Sequence, residues 1–138
     1  MTLSECTYSV LLVSAAAKFN ASFLSVLSSS GIRFLSPVTA ASVAEAREHL
    51  AECMYDVAVI NTPLPDDAGI SLAEDICRTG GTAVLLLVRE EHYAATFEKV
   101  TPHGVLTMPK PTTSAAVTQA LGLLAGVRER LRRMEVKN

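Results

Sequence analysis

The 138-residue sequence predicts an α/β domain, a doubly wound five-stranded parallel sheet with helices on both faces. Three observations carry that prediction. Short apolar runs alternate with segments of helical spacing, strand before helix, five times along the chain. The run TAVLLLV at residues 82–88 is apolar almost throughout, as suits a strand covered on both faces. Hydrophobic residues make up 49% of the chain against 19% charged, in a length that suits one domain with its own core.

The elements follow in order. YSVLLV at residues 8–13 reads as the first buried strand. Residues 16–30 carry Phe19, Phe23, Val26 and Leu27 at helical spacing, and Gly31 stops that helix. Residues 32–35 read as the second strand, closed by Ser36-Pro37. In SVAEAREHLAE, Ser42 and Glu45 form a capping box, with Val43, Ala46, Leu50 and Cys53 expected on the inward face. Residues 57–60 make the third strand. ISLAEDICRTGG is a helix closed by Gly80-Gly81. After the fourth strand, EEHYAATFEKV begins with acidic residues, which the helix dipole favours in a first turn. Residues 104–108 form the fifth strand, and a last helix starts near Ser114.

Composition removes several function classes. The net charge of −2 gives no global attraction to nucleic acid. No apolar run reaches the roughly 18 residues of a membrane span. Cys6, Cys53 and Cys77 are far apart, with no CxxC and no metal-type cluster, and read as reduced, small apolar side chains in a cytoplasmic protein. His49, His92 and His103 share no metal or dyad spacing. The loop VSAAAKFN lacks pyrophosphate-binding glycines, and neither GxxxxGK[ST] nor GxSxG occurs.

In a parallel sheet of this kind, ligands sit at the carboxyl ends of the strands. Those positions hold Ser14 and Ala15 after the first strand, Asn61 after the third, Val88 and Arg89 after the fourth, and Lys110-Pro111 after the fifth. In INTPLPDDAG, Pro65 and Gly69 stand four and eight residues beyond Asn61.

This arrangement resembles the receiver domain of bacterial response regulators, over about residues 7–125. The resemblance implies a flavodoxin-like (βα)5 fold, a phosphoaccepting Asp at position 61, and a Lys followed by a cis proline after the fifth strand. Its proline and glycine spacing is kept by Pro65 and Gly69, and its lysine by Lys110. The chemistry is not kept. Asn61 is a poor nucleophile where an acyl phosphate would form. Ser14 and Ala15 replace the acidic pair that holds Mg²⁺, which needs hard, preferably anionic oxygens. Val88 stands where a Thr or Ser would contact the phosphoryl group, and Thr107 at the aromatic switch position. The site is thus expected to be degenerate, with no catalytic residue, no metal and no cofactor. Lys110 is expected to stay solvated or to pair with Asp66 or Asp67, themselves read as solvated loop residues. Ser14 is a candidate cap of the first helix.

The carboxyl-terminal helix carries a stripe of Val117, Leu121, Leu124, Val127, Leu131 and Met134, with a basic tail that is still periodic at Asn138. The expected organisation is a receiver-like domain at residues 1–126, followed at 127–138 by the start of a helical linker to an output domain beyond Asn138. The tail resembles the coiled-coil linker of ANTAR antitermination regulators. That resemblance implies a cytoplasmic transcriptional regulator acting through protein contacts or a homodimer. RNA or DNA would be bound only through the output domain. Tyr93, Phe97, Leu121, Leu124 and Leu131 are the candidate dimer face. The alternative is a metabolite sensor using an uncharged cleft lined by Ser14, Asn61 and Thr112. A flavodoxin-like enzyme lacks an assembled nucleophile and base.

Overall fold

The structure is a computed structural model that describes residues 6–137; the expected domain start at residues 1–5 lies outside them. The elements are β1 (Thr7–Tyr8), β2 (Val10–Val13), α1 (Ala17–Ser29), β3 (Arg33–Phe34), β4 (Val38–Ala40), α2 (Val43–Glu52), β5 (Val57–Asn61), α3 (Ile70–Thr79), β6 (Ala83–Arg89), α4 (Glu90–Val100), β7 (Leu106–Lys110) and α5 (Ser114–Lys137). Strands β4-β2-β5-β6-β7 form one sheet in that order, every pairing parallel. The predicted fold class is the observed one.

The alternation of side chains along each strand builds two cores. Leu11, Ile60 and Leu86 pack against Ala46 of α2, Leu72 and Ile76 of α3 and Val100 of α4. Leu12, Val59, Leu85 and Leu87 pack on the other face against Phe23 and Leu27 of α1 and Val117, Leu121 and Leu124 of α5. Each large side chain fully buried in this way is worth about 1.5–3 kcal/mol.

Three local expectations change. The second strand of the large sheet is Val38–Ala40, whereas residues 33 and 34 pair with Thr7 and Tyr8 as a separate short ribbon. Proline has no N–H to give a ladder, so pairing breaks around Pro37 and resumes beyond it. The fifth strand begins at Leu106, because Gly104, at φ 88°, closes a 3₁₀ turn over Thr101–His103. Lys110 is therefore the last residue of a strand. Third, Cys53 is exposed, since the chain leaves α2 there in extended backbone; Cys6 is buried and Cys77 half-buried.

The Ser42 cap forms as predicted. Ser42 Oγ accepts from Glu45 N at 3.1 Å, and Glu45 Oε2 accepts from Ala41 N at 3.1 Å.

Helix α5 is continuous through residue 126, with no break at the expected boundary. Its second half is tied to the amino-terminal edge of the sheet. Asp56, just before β5, accepts from Arg132 Nη2 at 2.7 Å and Arg128 Nε at 3.3 Å. Ser9 N donates to the same carboxylate at 2.8 Å. The Arg132 guanidinium also lies 4.8 Å from the Tyr8 ring centroid, and Tyr8 Oη donates to Glu129 at 3.3 Å. Burial pushes the Asp56 carboxyl up, but the Ser9 hydrogen bond and the two arginines more than offset it, and its pKa falls below the usual carboxylate value. Among the described residues, no helix is long and apolar enough to cross a membrane.

Candidate functional site at the strand ends

Strand β5 is buried along its whole length and ends on Asn61, which is 5% exposed. A buried amide must find partners. Asn61 Nδ2 donates to Ser14 Oγ at 3.2 Å, and Asn61 Oδ1 accepts from Lys110 Nζ at 2.9 Å. Lys110 Nζ also donates to the Thr62 carbonyl. An ammonium can only donate, so the amide oxygen must face it and the amide nitrogen must face Ser14. Ser14, 1% exposed, accepts a second bond from Ala16 N at 3.2 Å. That bond precedes α1, whose N-cap is Ala16 without a side-chain bond, so Ser14 shapes the approach to the helix and does not cap it.

Lys110 is thus half-buried and bonded to Asn61 and Thr62, and it is not paired with Asp66 or Asp67. It turns inward because the two aspartates are committed elsewhere. Asp66 accepts from Val43 N at 2.9 Å and Ala44 N at 3.0 Å, at the start of α2. Those bonds hold its carboxyl below the usual range. Asp67 Oδ1 accepts from Gly69 N at 2.8 Å. Both residues bind backbone and shape the loop. Burial lowers the Lys110 pKa, and the nearby Arg89 charge lowers it further.

The loop keeps the predicted turn residues. Gly69 has φ 86°, and a Cβ there would lie 3.1 Å from Thr62 Cγ2 and 3.3 Å from Ile60 Cγ2. Conformation and close approach therefore both require glycine. Pro65 is exposed between buried Leu64 and Asp66. The Lys110-Pro111 peptide is cis, and so is Thr62-Pro63.

The remaining predicted positions separate. Val88 is 3% exposed and sits in the core beside α3 and α4. Thr107 is buried. Ala15 is exposed and offers only a methyl. Thr112 lines a cleft of about 320 Å³ with Lys18, Phe19, Lys110 and Pro111. Ser14 and Asn61 are too buried to share in that wall, so the expected three-residue neutral cleft does not form. Tyr93 and exposed Phe97 lie together on α4, ring centroids 5.8 Å apart. Leu121 and Leu124 are core residues at 0% and 6% exposure, and Leu131 is half-buried. Leu121 and Leu124 thus face the domain's own sheet and are not free to form a dimer face.

The donor set does not fit Mg²⁺. The ion favours anionic oxygens in octahedral array, yet the oxygens here are a hydroxyl and an amide already bonded to an ammonium. Among the described residues, no three His, Cys, Asp or Glu side chains form a metal-type group.

Sequence reasoning placed Arg89 at the end of the fourth strand but missed Thr62 and the pairing of Arg89 with Lys110. Thr62 Oγ1 donates to the Leu87 carbonyl at 2.8 Å. Arg89 is the cross-strand register partner of Lys110. The signal for Arg89 lay in strand register, which the shifted start of the fifth strand concealed.

No protein-family model matches the sequence, and no curated protein matches it. Solved structures do. The signal receiver domain of an HD domain-containing protein from Pseudomonas fluorescens Pf-5 is 19% identical with a TM-score of 0.76, covering 91% of this chain and 92% of that one. A CheY-like response regulator receiver domain protein from Methanospirillum hungatei JF-1 is 16% identical with a TM-score of 0.76, covering 91% and 98%. The chemotaxis response regulator CheY4 of Vibrio cholerae is 18% identical with a TM-score of 0.70, covering 86% and 99%. The chain has the fold of the response regulator receiver domains.

Proposed function

We propose that this chain is a signalling module of the response regulator class that works without aspartyl phosphorylation. The observation that carries the reading is the Lys110–Asn61–Ser14 chain of hydrogen bonds. The lysine's partner is a neutral amide, and that amide's other partner is a hydroxyl. Among the described residues, no carboxylate is placed beside Asn61 to attack a phosphodonor or to hold a cation. The module is not an enzyme. It acts in the cytoplasm through protein contacts, with Tyr93 and Phe97 on α4 as the surface for a partner or a second copy. Its effect passes through α5 to an output domain beyond Asn138, an RNA-binding antiterminator in our preferred version.

Treatment with beryllofluoride and Mg²⁺, read by amide shifts, tests the core of this reading. We expect no saturable shift at residues 61 and 110; a saturable one would contradict it.

A second reading is ligand sensing at the strand ends. Two open clefts of about 320 and 300 Å³, one lined by Lys110 and Thr112 and the other by Thr62 and Arg89, have a size that small-molecule sites use. A ligand of either cleft would raise the melting temperature by mass action.

A further inference from the structure

A groove between α2 and α3 opens at the amino ends of β5 and β6, the opposite end of the sheet from Asn61 and Lys110, and holds a cleft of about 400 Å³. That volume lies within the range of small-molecule sites. Its floor is apolar. Leu72 and Ile76 of α3 are buried there, and Leu50 of α2 is half-buried beside them. One wall is Met54, 67% exposed, in the chain between α2 and β5. Its side chain lies over the backbone of Gly81, where an added Cβ would collide with Met54 Cε. Methionine is unbranched and flexible, so this wall can adapt to what it covers. An apolar side chain left this exposed at the mouth of an apolar cleft is surface that an occupant would remove from water.

The polar residues of the lining decide which occupant fits. Arg47 Nη2 and Asp75 Oδ2 pair at 2.9 Å across the groove, and Asp75 takes Arg78 on its other oxygen at 2.8 Å. Both charged residues of the lining are therefore already paired. Thr79 Oγ1 donates to the Ile76 carbonyl at 2.7 Å, and Thr82 Oγ1 donates to the Tyr55 carbonyl at 2.6 Å. Cys53 Sγ donates to Tyr55 Oη at 3.4 Å. A hydroxyl carries one proton, so both threonines have spent their donor and keep only acceptor lone pairs. A charged ligand would give up hydration here with no free counter-charge to meet it. A neutral apolar body gives up none, and one N–H or O–H on it meets a threonine oxygen.

We propose that this groove is a binding site for a small, neutral, mainly apolar molecule with an N–H or O–H donor. Its apolar body would rest on Leu72, Ile76 and Met54, and its donor would reach Thr79 or Thr82. Binding is non-covalent. The site lies at the far end of the sheet from the strand-end clefts and stands whether or not those clefts take a ligand.

The test titrates indole, N-methylindole and indoleacetate into the intact chain, read by amide shifts and calorimetry. Indole should saturate and shift the amides of residues 54, 75, 79 and 82, without a shift at residues 61 and 110. Indoleacetate, which brings a charge, should bind at least about tenfold more weakly, and N-methylindole, which lacks the donor, more weakly than indole. Ala51 is exposed and lines the cleft, so Ala51→Trp should fill the cleft and abolish binding. Met54→Ser should keep the fold, checked by circular dichroism, and lose about threefold or more in indole affinity. Leu35→Ser, at an equally exposed apolar residue outside the cleft, should bind as the parent does. Absence of a saturable shift, equal binding of indoleacetate or N-methylindole, or indole affinity unchanged in Met54→Ser would overturn the proposal. So would self-association by sedimentation velocity that Met54→Ser abolishes, since the occupant would then be a second copy of the chain.

Discussion

Lys110 Nζ lies 2.9 Å from Asn61 Oδ1, and that bond joins the ends of β7 and β5 across the intervening β6. In this chain the lysine serves to satisfy buried acceptors. Lys110→Met removes the donor and strands the Asn61 oxygen and the Thr62 carbonyl. The expected cost is about 1–3 kcal/mol, the penalty for buried groups left unpaired. Urea unfolding monitored by circular dichroism measures it.

Restoring charge should restore metal affinity only when enough oxygens are supplied. Asn61→Asp alone adds one carboxylate, which Lys110 will engage. Adding Ser14→Asp and Ala15→Asp supplies a set of the kind Mg²⁺ takes. Titration calorimetry should show at least about tenfold tighter Mg²⁺ binding in the triple variant than in Asn61→Asp.

Asp56 anchors the second half of α5. Asp56→Ala leaves Arg128, 8% exposed, without its counter-charge. Breaking a buried pair in this way costs about 3–5 kcal/mol, and the third-exposed Arg132 places the expected loss near the lower end. The Asp56 pKa is depressed in the folded state. Its contribution is therefore complete above about pH 4, the unfolded value, and is lost as the pH falls through the lower folded value. Stability measured from neutral to acidic pH should fall less steeply in Asp56→Asn than in the parent chain.

Much of the fold was legible because apolar runs and helix caps are local signals. Ser42 and Glu45 announced α2, and Asn61, Pro65 and Gly69 announced the loop after β5. What stayed hidden depended on tertiary placement. A heptad-like spacing in α5 fits a partner helix or the domain's own sheet equally well, and Leu121 shows that the sheet wins. Nothing local distinguishes a solvated Asp66 from one that caps a helix 22 residues earlier in the chain. The missing carboxylates of the site were legible as residue types, but the inward turn of Lys110 was not. It depends on where Asp66 and Asp67 find their partners.

The same distinction between core and surface separates two neighbouring predictions. Leu121→Ala should cost about 2–5 kcal/mol, as for a fully buried leucine. Phe97→Glu, at a site 43% exposed, should change monomer stability by no more than about 0.5 kcal/mol. If α4 carries a partner surface, Phe97→Glu should abolish any concentration-dependent dimer seen by sedimentation velocity.

The most direct test of a phosphorylation-independent module is exposure to acetyl phosphate with Mg²⁺, read by intact mass and amide shifts together. The account predicts an unchanged mass and no saturable shift at Asn61 and Lys110. A phosphoryl adduct, or a saturable shift centred on those two residues, would contradict it.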